Sequence, residues 1–179
     1  FFFFFKKILF IVNVDWFFNA HSLSVATGAN RAGYEVHVAT TFTKPGLNLK
    51  KHGFHLHQLK LERSKHGIIT ILKEFRQIYK LVKKVKPHIL HLVTIKPVIM
   101  GGAIAHFTST KAIICAIPGM GFMFVDKGIL TSIKRFILST LYYISLGFHK
   151  KIKIVVENTE NQRYVRKLTK HSIEKFTIL

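Results

Sequence analysis

Acidic residues are scarce in this chain. Of 179 residues only 8 are Asp or Glu, against 28 Lys or Arg, which gives a net charge of +20 at pH 7. No acidic residue lies between Glu74 and Asp126, or between Asp126 and Glu157. Such an excess of one sign indicates an anionic partner, such as nucleic acid, anionic lipid or a phosphorylated substrate. The basic residues are spread through amphipathic segments, which argues against nucleic-acid binding by a charged tail.

Cysteine and long apolar runs are also scarce. The single cysteine, Cys115, excludes a disulfide framework and a multi-cysteine zinc site. Charge-free stretches reach about 15 residues, whereas a membrane-spanning helix needs about 20. The 11 histidines form no H-x-x-x-H or H-E-x-x-H pattern, so we expect no metal site. An apolar fraction of 49% excludes a disordered chain.

Glycine is missing where a nucleotide site would need it. The first glycine of the chain is Gly28, so the first strand-to-helix turn has no G-x-G-x-x-G pattern. The Walker A pattern and the G-x-S-x-G pattern of serine hydrolases are absent too. These absences argue against a nicotinamide-dependent dehydrogenase, a nucleoside triphosphatase and a serine hydrolase.

Short apolar runs alternate with segments of helical period along the chain. This order predicts an α/β fold, a Rossmann-like parallel sheet with helices on both faces. Ligands of such sheets bind at the carboxyl ends of the strands. We predict strands at 7–14, 34–40, 54–61, 88–94, 112–117, 152–156 and 175–179, and helices at 19–31, 67–85, 101–107, 129–148 and 159–169.

Two segments that follow predicted strands offer groups for an anion. Lys96, two residues after Thr94, is either a phosphate ligand or a solvated surface lysine. Gly119 and Gly121 form either an anion-binding turn, since glycine lets the backbone approach a ligand closely, or a plain tight turn.

The predicted helix at 129–148 is apolar and has basic residues at both ends. Lys134 and Arg135 lie near its start, and Lys150 and Lys151 follow its end. This composition fits either a helix in a membrane interface or a buried core helix. The net charge favours the interface, because an anionic leaflet attracts each nearby basic residue by about 1 kcal/mol. We therefore expect these four residues to face a membrane.

Several segments together resemble the N-terminal half of family-4 glycosyltransferases. They are KKILFIVNVDWFF, H-x-L, AGYEVHVAT, PHILHLVTIKPVIMGG, IPGMGFMF and VVEN, in this order. These are retaining enzymes with two Rossmann-like domains, the GT-B type. Within the family, the chain most resembles a subgroup that acts on undecaprenyl-diphosphate-linked sugars in capsule, O-antigen or other glycan assembly.

The resemblance implies a role for the chain and for several residues. Residues 1–179 would form the acceptor-binding domain, and the C-terminal nucleotide-sugar domain would be absent, so the fragment would be inactive alone. The reaction would be hexosyl or N-acetylhexosaminyl transfer to a lipid-linked saccharide, without a cofactor, at the cytoplasmic face of the cell membrane. The acceptor site would comprise Asp15, Trp16, His21, Thr94, Lys96, Gly119 and Gly121, and Asn158 would lie at the interdomain cleft.

The chain departs from the family pattern at two places, and two other function classes are alternatives. The chain has Ala20-His21-Ser22 where the subgroup has Ser-His-Arg, and Asn161 where it has Asp, which is compatible with a truncated or decaying gene. One alternative is a basic nucleic-acid-binding α/β module, although no RNA-binding strand motif or helix-turn-helix is evident. The other is a flavodoxin-like ligand or regulatory domain, which would need a phosphate loop and an acidic cluster.

Overall fold

The computed structural model describes residues 6–43, 49–61, 67–118 and 129–179. Over these residues the chain forms a parallel sheet with the strand order β3-β2-β1-β4-β5-β6-β7. The predicted Rossmann-like α/β fold class is therefore confirmed. The strands are β1 (Lys7–Val14), β2 (Glu35–Thr41), β3 (His55–Gln58), β4 (Ile89–Val93), β5 (Ala112–Ile117), β6 (Ile152–Val156) and β7 (Phe176–Ile178).

The helices differ from the predicted ones at two places. The single helix predicted at 19–31 is instead two helices, which begin at Asp15 and are divided at Ser22, and the helix predicted from Gly101 begins at Ile95. Pro97 is tolerated there because the first-turn amides of a helix have no intrahelical acceptor to lose. The described helices are α1 (Asp15–His21), α2 (Leu23–Arg31), α3 (Ile68–Val85), α4 (Ile95–Ala105), α5 (Ile129–Leu146) and α6 (Thr159–Thr169).

Each face of the sheet has its own hydrophobic core, because alternate strand residues point to opposite sides. On one face, Leu9 and Leu92 pack with side chains of α3, α4, α5 and α6, such as Ile78 and Tyr142. On the other face, Phe10 of β1 and its neighbours pack against α1 and α2. Both faces of the central strands are buried, which explains why these strands read as continuous apolar runs.

Candidate functional site

A groove lies at the carboxyl ends of β1, β4 and β5. From β1 the chain runs to β2 on one side and later returns to place β4 on the other, so the strand order reverses between β1 and β4. Open α/β sheets bind ligands at this switch point. The groove has a volume of about 680 Å³ and lies between α3, α4 and α5. That volume is within the range of small-molecule sites.

The groove is predominantly apolar. Among the described residues that line it, the polar side chains are Asn13, Thr94, Lys96 and Ser145, and the others are apolar. The apolar lining residues are Val14, Phe17, Ile71, Phe75, Ile95, Ile99, Met100, Ala103, Pro118, Leu138, Leu141 and Ile144. Such walls favour an apolar ligand or ligand segment, and the few polar groups fix its orientation.

Thr94 has a strained backbone at the floor of the groove. Its φ of 75° and ψ of 166° lie in a region that is essentially restricted to glycine. The Thr94 hydroxyl oxygen is buried and, in the part of the chain that the structure describes, has no hydrogen-bond partner. The same holds for Oδ1 of Asn13, at the end of β1. Within the described ranges, two buried oxygen atoms that lack hydrogen-bond partners therefore line one groove, and a strained backbone carries one of them.

Lys96 is held by a carboxylate that the sequence analysis did not include. Its Nζ lies 2.9 Å from each carboxylate oxygen of Glu74, whose side chain is only 1% exposed. This charge-assisted pair joins α3 to α4 within the groove wall. The sequence did contain a signal for this buried carboxylate. Glu74 lies three residues after Ile71 and four before Ile78, and is therefore on the same side of α3 as these apolar residues.

Asp15 does not reach the groove surface, contrary to our expectation that it would line the cleft. Its side chain is fully buried at the start of α1. One carboxylate oxygen accepts hydrogen bonds from the Trp16 amide and the Thr43 hydroxyl, and the other accepts one from the Thr43 amide. Asp15 thus ties the start of α1 to the segment that follows β2.

Trp16 and His21 lie beside the groove instead of lining it. Both are exposed, and both contact Phe17: the Trp16 and Phe17 rings lie 5.8 Å apart, and the His21 ring lies 4.3 Å from that of Phe17. Phe17 is the α1 residue that lines the groove. Sequence reasoning missed it because all the aromatic residues of this turn look alike before the direction of α1 is known.

A family model described as glycosyl transferase 4-like matches residues 7–158, a range that includes every residue lining the groove. The chain belongs to this family. The resemblance found in the sequence is therefore confirmed. No curated protein matches the chain in sequence.

Several solved structures share this fold. A glycosyltransferase from Rickettsia africae ESF-5 superposes with a TM-score of 0.64 at 15% identity, over 97% of this chain and 42% of that one. Sucrose-phosphate synthase from Thermosynechococcus elongatus superposes with a TM-score of 0.67 at 12% identity, over 97% of this chain and 47% of that one. A UDP-N-acetylglucosamine 2-epimerase superposes with a TM-score of 0.65 at 10% identity, over 97% of this chain and 48% of that one. At these identities the likeness shows the fold alone, and the chain spans less than half the length of each structure.

The remaining predicted acceptor and cleft residues of this family member lie in different places. Gly119 and Gly121 fall outside the described residues, but Pro118, the residue before them, lines the groove. Asn158 is at the carboxyl end of β6, away from the groove lining, and its side-chain oxygen accepts the amide of Asn161 to cap α6. Its exposed position at that edge leaves the cleft role a prediction.

The four residues expected to face a membrane are at the two ends of α5. An 18-residue helix is about 27 Å long, so Lys134 and Arg135 are far from Lys150 and Lys151. Lys150 and Lys151 are exposed, Arg135 is half-buried, and the side chain of Lys134 is outside the described part. Among the described residues, no helix is long and apolar enough to cross a membrane.

One face of α5 carries an exposed row of apolar side chains, which we call the apolar stripe. Phe136, for example, is 74% exposed, whereas Tyr142 on the opposite face is fully buried and Leu138 packs against the core. Tyr142 is thus a core residue, and Leu138 is partly buried against the core. The apolar stripe consists of Ile133, Phe136, Ile137, Leu141, Ile144 and Phe148.

Proposed function

We propose that this chain is the acceptor-binding half of a retaining glycosyltransferase that moves a sugar from a nucleotide-sugar donor to a lipid-linked saccharide in cell-surface polysaccharide synthesis. The observation that carries the proposal is the groove at the switch point. Its walls are largely apolar, and the polar side chains of Asn13 and Thr94 lie on its floor, at the carboxyl ends of β1 and β4. An acceptor with a polar head and an apolar chain matches this division of surface.

Each groove residue has a role in this proposal. The oxygens of Asn13 and Thr94 accept hydrogen bonds from acceptor hydroxyl groups, because unpaired buried acceptors gain most from such bonds. Lys96 supplies the positive end of the pair with Glu74, toward the acceptor diphosphate. The negative charge of Glu74 partly cancels the positive potential of the Lys96 ammonium group. Lys96 therefore acts mainly by donating a well-positioned hydrogen bond. Gly119 and Gly121 would bring the following loop toward the same phosphates.

Membrane association is the second part of the proposal. The apolar stripe of α5 is exposed, and Lys150 and Lys151 are exposed at its end. An interfacial helix buries such a stripe among the lipid headgroups while the basic side chains meet anionic lipid. The proposal therefore includes attachment of the protein to the cytoplasmic face of the cell membrane.

Trp16 allows a direct test of the groove. It is the single tryptophan of the chain, and its ring lies 5.8 Å from that of the groove residue Phe17. Titration with a short-chain prenyl-diphosphate saccharide should change the Trp16 fluorescence saturably, whereas nucleotide sugars should not. Filling the groove by Ala103→Phe should abolish the response. The same substitution at the exposed Ala32 is the control.

Two results would refute the acceptor assignment. One is an equal response to the saccharide in the wild type and in Ala103→Phe. The other is a saturable response to nucleotide sugars with none to the prenyl-diphosphate saccharide.

A further inference from the structure

A second pocket lies at the opposite edge of the sheet from the groove. It has a volume of about 300 Å³, and we call it the amino-edge pocket. It lies between the segment after α4, the start of β5 and the segment between α5 and β6. Its lining residues are Ala105, Thr110, Lys111, Ala112, Ile113, His149, Lys150 and Lys151.

The amino-edge pocket is strongly basic. Lys111, Lys150 and Lys151 are exposed at its wall, and in the described ranges no acidic side chain lines it. A fourth ammonium group is close, since Nζ of Lys175 donates a hydrogen bond to the Lys150 carbonyl oxygen at 2.9 Å. Like charges held together around a concave surface raise the local positive potential and attract anions.

The neutral part of the pocket wall is well ordered by hydrogen bonds and stacking. Nε2 of His149 lies 2.9 Å from the Gly102 carbonyl oxygen, and its ring stacks on His106 at 3.9 Å. Burial lowers the pKa of His149, so the positive charge comes from the lysines. The hydroxyl oxygens of Thr108 and Thr110 lie 3.1 Å apart at the same wall.

Exposed aromatic residues flank the pocket. Phe148, 62% exposed, directly precedes His149 and ends the apolar stripe of α5. Phe107, 73% exposed, lies in the segment that leads to Lys111. Exposed phenyl rings next to a basic pocket suit a surface where hydrocarbon and phosphate groups meet. The phenyl rings then contact hydrocarbon, and the ammonium groups contact phosphate.

We propose that the amino-edge pocket binds the phosphate group of an anionic phospholipid headgroup, while Phe107 and Phe148 enter the adjoining acyl region. This inference rests on the membrane association in the proposed function and deepens it. It assigns the lysines to a defined headgroup contact at the amino end of β5, whereas the acceptor groove is at the carboxyl end of that strand. Phosphate suits several ammonium donors and a threonine hydroxyl around one small pocket.

The test compares two charge-matched double variants of the full chain. Lys111→Gln with Lys151→Gln removes two charges from the pocket. Lys50→Gln with Lys51→Gln removes two exposed charges near β3, at the far edge of the sheet. Binding is measured by flotation with phosphatidylcholine vesicles that contain phosphatidic acid as the anionic lipid. We expect the pocket variant to lose affinity by roughly fivefold per lysine, and the control to lose much less.

The outcomes separate this inference from the proposed function. If the wild type binds and both variants lose affinity equally, attraction is diffuse and the pocket assignment fails alone. If the wild type binds no vesicles, the membrane part of the proposed function fails as well. The groove test with Trp16 is independent of both results.

Two further arms identify the source of the phosphate. In an NMR titration, inorganic phosphate should shift the amides of Lys111 and Lys151 only weakly. Tight, saturable binding of inorganic phosphate there would overturn the lipid assignment in favour of a free phosphate. Retention of a short RNA that the pocket variant loses and the Lys50, Lys51 control keeps would overturn it in favour of nucleic acid.

Discussion

At the scale of single residues, the strained backbone of Thr94 lies where the acceptor is proposed to bind. Thr94 is β-branched, has φ of 75°, and directly follows β4. A non-glycine residue in this backbone region costs on the order of 1–3 kcal/mol, and the surrounding structure must hold it there. Its amide donates to the Ala116 carbonyl oxygen at 3.1 Å, and its carbonyl oxygen accepts the Val98 amide at 3.0 Å. These bonds to β5 and α4 hold the strained backbone in place.

Thr94→Gly should stabilise the fold and weaken acceptor binding. Glycine relieves the strain, so we expect the free energy of unfolding to rise by about 1 kcal/mol, after the loss of entropy on ordering glycine. The same change removes the hydroxyl that lines the groove. Urea unfolding and the Trp16 titration measure the two effects, and a variant that is less stable than the wild type would contradict the strain argument.

His91 makes stability depend on pH. It is buried, stacks on Phe10 with ring centroids 4.6 Å apart, and its Nδ1 has no hydrogen-bond partner among the described residues. Burial lowers the pKa of His91 to about 4, and burial also lowers that of His57 to about 4. Both histidines are therefore neutral in the folded protein, whereas the unfolded chain takes up protons below its ordinary pKa of about 6.5.

The free energy of unfolding should therefore be constant above about pH 6.5 and fall as the pH drops toward 4. His91 alone should account for about 2 kcal/mol between pH 7 and pH 5. His91→Phe keeps a ring against Phe10 and removes the titration, so its pH slope should be shallower. Urea unfolding at the two pH values measures this, and identical slopes for the two proteins would show that His91 does not contribute.

At the scale of helices, α4 and α5 pack so closely that only a glycine fits at position 102 of α4 without a shift of the helices. A Cβ atom added at Gly102 would lie 2.9 Å from the Ser145 backbone oxygen and 2.8 Å from Leu146 Cδ2. Both contacts are shorter than real Cβ atoms show, and the backbone oxygen cannot rotate away. This close approach places Leu138, Leu141 and Ile144 of α5 against the groove.

Gly102→Ala should lower the free energy of unfolding by about 1–3 kcal/mol, because the two helices must separate. Gly28→Ala in α2 is the matched control, since nothing lies within 4 Å of its added Cβ. That change should instead raise stability by about 0.5–1 kcal/mol, as alanine favours a helix interior over glycine. Urea unfolding of both variants tests the pair, and equal effects would contradict close α4–α5 packing.

The apolar stripe of α5 should hold the protein on anionic vesicles after salt has screened its charges. At about 1 M salt the Debye length is about 3 Å, so charge attraction is largely lost and the apolar contribution remains. Phe136→Ser with Ile137→Ser, at two exposed stripe residues that do not line the groove, should then weaken binding by about 1 kcal/mol per residue. The same changes at the exposed Val25 and Ile173, outside the stripe, are the control. Equal binding to anionic and neutral vesicles would contradict this two-part attachment.

At the scale of the whole molecule, the proposed function assigns the groove to one of the two substrates of a sugar transfer. The chain spans less than half the length of the three solved structures compared above. Catalysis of transfer depends on holding donor and acceptor in reacting geometry. We therefore expect the purified 179-residue chain to transfer no sugar, with mass spectrometry of the acceptor as the measurement. A complete two-domain family member is the positive control, and turnover by the chain alone would refute the expectation.

The fold was largely predictable because its signals are local. The strands at 112–117 and 152–156 and the helix at 159–169 match the predicted bounds, since apolar runs and helical periods are set within a few residues. The edge that carries the groove also follows from the alternation of strands and helices. The start of α4 was missed: the helix predicted from Gly101 begins at Ile95 and accommodates Pro97 in its first turn.

The composition of the groove depended on packing between distant segments. Lys96 meets Glu74 across 22 residues, and the Asp15 carboxylate meets Thr43 across 28, so neither pair has a local signal. The α5 sequence is compatible with a buried or an exposed helix, and its packing against α4, α6 and the sheet buries Tyr142 and leaves Phe136 on the surface. Sequence thus determined the sheet and its binding edge, because hydrophobic period acts within one segment. Tertiary structure decided which side chains line that edge, because burial and ion pairing depend on distances between segments that the chain order does not fix.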